Sequence, residues 1–253
     1  MLTRSTFLRS TSATAAAVAL PQIAAAQHAK PNVLLVHGAL SDASAWERVI
    51  PLLQAAGHHV VGVQNPLTSL AADIANTKLQ LAQLTGPTVV VAHSYGGSVI
   101  SGAARDAANV RSLVFVTAIA PDEGESANDL FKKYPSAVFN DFVPSGPQGF
   151  VICNPAKFPA DFAADIPPLE AAVLAATQKP TAGAAFAAKS GPPAWKQVPS
   201  FYAVSTQDHA INPELQRFLA LRAQATTVEV SASHFSLISH PQEIAALILR
   251  ASA

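Results

Sequence analysis

Cysteine occurs once in this chain, at Cys153, so no intrachain disulfide and no cysteine-built metal cluster can form. Nothing around it resembles a thiol-protease constellation, and it reads as a packed or surface residue. Charge is also scarce. Only 13% of residues are charged, and 16 basic side chains balance 16 acidic ones without a block of either sign. That excludes the electrostatic footprint of a nucleic-acid binder or of a protein held on an anionic membrane. No apolar run reaches the roughly 20 residues that span a bilayer. No His-x-x-x-His or comparable ligand spacing argues for a metal, and no cofactor is expected.

What is present is apolar. Half of the 253 residues are hydrophobic, enough to build one domain with a substantial core. The first 26 residues read as a signal peptide. Arg4 and Arg9 form a positive region, residues 15–20 a short apolar stretch, and Ala24-Ala25-Ala26 a small-residue cleavage site before Gln27. Residues 3–9 resemble a twin-arginine export signal, with Ser5 where the second arginine would stand. The expectation is export to the periplasm or beyond, by that route or the general secretory one.

From residue 27 onward strand and helix signals alternate, the rhythm of a parallel sheet covered by helices on both faces. Strands are predicted at 32–36, 59–63, 88–92, 112–117, 201–205 and 227–230. Helices are predicted at 46–56, 70–84, 95–107, 213–224 and 241–251, with Asn212 as N-cap and Pro213 at the first helical position of the fourth. The strands are near-continuous apolar runs, as strands buried on both faces are. The rhythm breaks between about 121 and 199. That stretch is rich in proline, has no β-branched run, and holds much of the chain's aromatic content, including Phe131, Phe139, Phe142, Phe162 and Phe186. It reads as an inserted helical cap. Its phenylalanines either line an apolar pocket for an uncharged or aromatic substrate or form a small core of the cap itself.

The strongest chemical signal is Ala92-His93-Ser94-Tyr95-Gly96-Gly97, lying after a predicted strand and before a predicted helix. A nucleophile held on so sharp a strand-to-helix turn needs small residues two positions to either side, and Ala92 and Gly96 supply them. Ser94 is therefore the candidate nucleophile, and the Tyr95 N–H a candidate oxyanion donor at the helix start. The second donor is the Ala39 N–H, in the turn Val36-His37-Gly38-Ala39-Leu40 after the first strand.

A serine hydroxyl needs a base. Among eight histidines, His234 follows the last predicted strand, at the sheet end where the elbow emerges; His209 and His240 are the next candidates. His37 belongs to its glycine turn, His93 points away from the nucleophile, and His28, His58 and His59 read as solvated. The base in turn needs a carboxylate. Asp208, after strand 201–205, is favoured; Asp122, after strand 112–117, is the rival. The order Ser94, Asp208, His234 is that of an α/β-hydrolase.

At these motifs, from about Pro31 to Ala253, the sequence resembles the α/β-hydrolase superfamily. His37-Gly38-Ala39, Trp46, residues 50–53, Gly57-His58, the Ser94 elbow, residues 120–126 and Ser239-His240-Pro241 resemble its small-esterase branch, which includes plant methylesterases and hydroxynitrile lyases. The resemblance implies a mostly parallel sheet of about six strands lacking the first two strands of the standard fold, with a cap between that fold's sixth and seventh strands. It also implies a Ser94–Asp208–His234 triad with oxyanion donors at Ala39 and Tyr95, hydrolysing a small-molecule ester. The lyases of the branch carry threonine and lysine where this chain has Gly38 and Phe235, so the cation beside a leaving cyanide is missing. A non-catalytic binding protein on the same fold is the remaining alternative.

Overall fold

The computed structural model describes residues 30–147 and 149–253. The expected signal peptide and His28 lie outside the described residues.

The chain opens with β1 (Asn32–Val36), a 3-10 turn at Ala43–Trp46, α1 (Ile50–Ala55) and β2 (Val60–Val63). Then come α2 (Leu70–Ala82), β3 (Thr88–His93), α3 (Gly96–Ala103) and β4 (Val110–Val116). Between β4 and the next core strand lies the cap. It holds α4 (Ala127–Lys133), β5 (Phe142–Pro144), β6 (Phe150–Cys153), α5 (Phe158–Phe162), α6 (Pro168–Ala176), β7 (Thr181–Ala182) and α7 (Gly183–Ala187). The core resumes with β8 (Ser200–Ser205), α8 (Pro213–Arg222), β9 (Thr226–Val230), α9 (Ser236–Ser239) and α10 (Pro241–Ala251).

The six core strands form one parallel sheet in the order β2-β1-β3-β4-β8-β9. Valine and leucine runs suit its interior because branched side chains pack well on a pleated surface. Along β3, Val89 and Val91 enter one hydrophobic cluster while Val90 and Ala92 enter the other. Each central strand is thereby buried on both faces, which is why its sequence runs apolar without alternating. The helix ends follow local chemistry. The Ser69 hydroxyl accepts from Ala72 N–H at the start of α2, and Asn212 accepts from Glu214 N–H at the start of α8. Each such cap stabilises its helix by about 1 kcal/mol.

Two expectations change. The helix predicted over 46–56 is divided: the 3-10 turn ends at Trp46 and α1 begins at Ile50. Pro51 lacks an N–H and so favours the first turn of a helix over its interior. The cap is not free of strands either. Besides its helices it contains a three-stranded antiparallel sheet in the order β5-β6-β7. These strands are two to four residues long, too short for period-two patterning to stand out.

Candidate active site

The elbow is built by close packing. Ser94 sits at φ 53°, a left-handed conformation that costs a residue with a side chain. Its surroundings hold it there: Ser94 N–H donates to Val116 O, while Ser94 O accepts from Gly97 and Ile119 N–H. A Cβ on Gly96 would lie 2.6 Å from His37 O, and one on Gly97 2.0 Å from Ile119 O. Side chains at either position would force the turn away from β1 and β4.

The three sequence candidates come together at the carboxyl end of the sheet. Ser94 Oγ lies 2.9 Å from His234 Nε2, and His234 Nδ1 lies 2.9 Å from Asp208 Oδ2. A carboxylate only accepts, so Nδ1 carries the proton and Nε2 is free to accept the serine's. All three residues are buried. The other candidates sit elsewhere. Asp122 is engaged by Lys196 Nζ and by Glu123 N–H. His209 is exposed and donates to Ala160 O. His240 meets Ser239 Oγ. His58, read from sequence as solvated, is buried and donates to Pro31 O.

Ala39 and Tyr95 line the same cavity as Ser94 and His234. Their N–H groups have no hydrogen-bond partner among the described residues. The approach of the Ala39 turn depends on Gly38, where a Cβ would lie 2.7 Å from Ser94 Cβ.

Two supporting side chains were not singled out from sequence. Gln216, fully buried on α8, donates to Asp208 Oδ2 at 2.9 Å and to Ile211 O at 2.7 Å, and its Oε1 accepts from Ser205 N–H. Asp208 Oδ1 also accepts from Ala210 N–H. The carboxylate that faces His234 is thus fixed from three directions. Asp73 on α2, also buried, accepts from Tyr95 Oη at 2.8 Å and from Leu67 N–H. Burial raises its carboxyl above the usual range. It anchors the side chain of the residue that follows Ser94. The sequence signal for Gln216 was a polar residue on the inner face of an amphipathic helix, eight positions after Asp208.

Two more histidines are structural. His37 Nε2 accepts from Asn65 N–H, so its Nδ1–H donates to Gly38 O. Protonation would remove that acceptor, and burial brings its pKa down to about 4. His93 Nε2–H donates to the His234 carbonyl, tying the turn at Ser94 to the loop that carries His234, and burial likewise holds it neutral. Cys153 is buried, and desolvation pushes its thiol up to about 12, an unreactive state at neutral pH.

An acid-stability prediction follows from His37. Its folded pKa lies below the ordinary value of about 6.5, so below pH 6.5 the unfolded chain binds a proton the native one refuses. Stability is fully present above that pH and is lost as pH falls toward 4, by about 3 kcal/mol from this group. Urea midpoints from pH 7 to 4.5 should fall steeply in the parent and less in His37→Gln. Parallel curves would remove His37 from the account.

The alpha/beta hydrolase family matches residues 33–247. Methylesterase 8 of Arabidopsis thaliana is 27% identical over 219 residues, covering 75% of this chain and 77% of that protein. Methylesterase 7 of the same plant is 29% identical over 245 residues, covering 85% and 94%. The crystal structure of polyneuridine aldehyde esterase superposes with a TM-score of 0.77 at 20% identity, covering 88% of this chain and 100% of that one.

Proposed function

Because the chain belongs to the alpha/beta hydrolase family, we propose that it is a serine esterase that cleaves small apolar or aromatic carboxylic esters through an acyl-enzyme. The observation that carries this reading is the unbroken hydrogen-bond chain from Ser94 Oγ through His234 to Asp208. His234 takes the Ser94 proton as the oxygen attacks the ester carbonyl. The Ala39 and Tyr95 N–H groups receive the developing oxyanion. His234 then gives its proton to the leaving alcohol, and water, deprotonated by the same imidazole, releases the acid. Asp208 holds the tautomer and stabilises the imidazolium. The chemistry uses no cofactor.

The relatives named methylesterase support an ester as substrate. Two features weigh against cyanohydrin cleavage. A threonine at Gly38 would meet Ser94, and the neighbour of the base, Phe235, is buried and apolar, so it provides no charge for a leaving cyanide. Arg4, Arg9 and the alanines before Gln27 support export with removal of the leader.

A fluorophosphonate probe tests the reading. It should label the parent protein at Ser94, and the adduct should be found on the peptide bearing residues 92–97. Failure to label, with the protein folded, would leave a binding protein on a hydrolase fold.

A further inference from the structure

The space beside the nucleophile is too small for any ester. The cavity that Ser94 and His234 line encloses about 20 Å³, room for about one water. A second cavity of about 470 Å³, lined by cap residues, opens to solvent and is within the range of small-molecule sites. The two share four walls: Phe131 on α4, Phe139 in the turn after it, Phe142 on β5 and Phe186 on α7. These rings are half-buried, whereas Phe158 and Phe162 below them are buried. They form a continuous aromatic path inward. Phe131 and Phe139 centroids are 4.3 Å apart, Phe139 and Phe142 5.5 Å, Phe142 and Phe162 6.3 Å, and Phe162 and His234 5.3 Å.

An ester carbon must come within about 3 to 3.5 Å of the serine oxygen to react. With 20 Å³ available, it can do so only if rings of this partition turn aside, and the volume into which the rest of the substrate extends is the outer cavity. Among the described residues no carboxylate, amine or guanidinium lines the inner cavity, and Lys132 at the outer cavity is solvent-exposed. An ionised arm would lose its hydration without gaining a partner. An aromatic arm would stack against the displaced rings.

We propose that the outer cavity is a substrate subsite for one uncharged aromatic arm of the ester, and that Phe131, Phe139, Phe142 and Phe186 are the swinging partition that sets selectivity for such esters over small aliphatic ones. This rests on the serine-esterase reading above. The phenylalanines of the cap therefore serve both roles considered from sequence: those facing the sheet are core, those facing the outer cavity are recognition surface.

The test fills the cavity from its far wall. Val151 lines the outer cavity on β6, where a tryptophan suits a strand. The ratio of kcat/KM for phenyl acetate and methyl phenylacetate to that for ethyl acetate should fall about tenfold or more in Val151→Trp for whichever arm the subsite accepts. Phe139→Ala, which opens the partition, should favour the bulkier naphthyl acetate over phenyl acetate, raising the ratio of their specificity constants. Ratios unmoved in both variants, in an enzyme whose ethyl acetate turnover depends on Ser94, overturn the subsite and leave the esterase standing. Should the parent hydrolyse none of these esters, calorimetry with N-methylphenylacetamide, a neutral and unreactive isostere, still decides. A dissociation constant weakened about tenfold by Val151→Trp supports the subsite, and an unchanged one refutes it.

Discussion

Ser94→Ala is expected to lower hydrolysis of short p-nitrophenyl esters by on the order of 10³-fold or more. Ser94 Oγ is the only hydroxyl in hydrogen-bond contact with the Nε2 of His234 among the described residues. Without it the base can activate only water, and no acyl-enzyme can form. What remains is whatever rate the oxyanion donors and binding supply. The substitution leaves the backbone strain as it was, since alanine and serine share the cost of φ 53°. A thermal midpoint close to the parent's should therefore accompany the loss, so that inactivity is not unfolding. Turnover equal to the parent's would remove Ser94 as nucleophile.

The second large effect separates two carboxylates. Asp208→Asn is expected to reduce kcat by on the order of 10⁴-fold, the scale on which loss of the orienting carboxylate disables a serine triad. The amide can present an N–H where His234 Nδ1 now donates, favouring the tautomer whose Nε2 carries a proton and cannot accept one. Gln216 and Ala210 donate to Oδ2 and Oδ1 respectively, so the amide nitrogen of the variant faces a donor in either orientation and the geometry that holds His234 is lost. Asp122→Asn should change activity by no more than a few fold. It removes only a partly exposed ion pair with Lys196, and such pairs contribute about 0 to 1 kcal/mol. Steady-state kinetics on both variants decide, and the reverse ranking would move the acid to the strand before the cap.

Much of the fold was legible. β1 and α10 have the bounds expected for them, because an unbroken valine–leucine run and a proline-started amphipathic helix are signals carried wholly by neighbouring residues. The tight turn at Ser94 was legible for the same reason: strand, serine and glycines occupy consecutive positions. The cap was legible as an interruption but not as a structure. Its short strands pair across as many as 32 residues, as Phe150 does with Ala182, and no local pattern reports that. Gln216 and Asp73 escaped because each resembles an ordinary polar helix residue until its partner from another element is in place.

Order along the chain determined the parallel βα architecture, the strained serine and the presence of a histidine and an acid after the right strands, since each depends on steric and hydrophobic preferences within a few residues. Only the folded chain decided which acid meets which imidazole, and that Ser94 lies behind a wall of phenylalanines from four cap elements. Those outcomes depend on distances of a few ångströms between segments 26 to 140 positions apart, and hydrogen bonding and close packing act at that range in space whatever the separation in sequence.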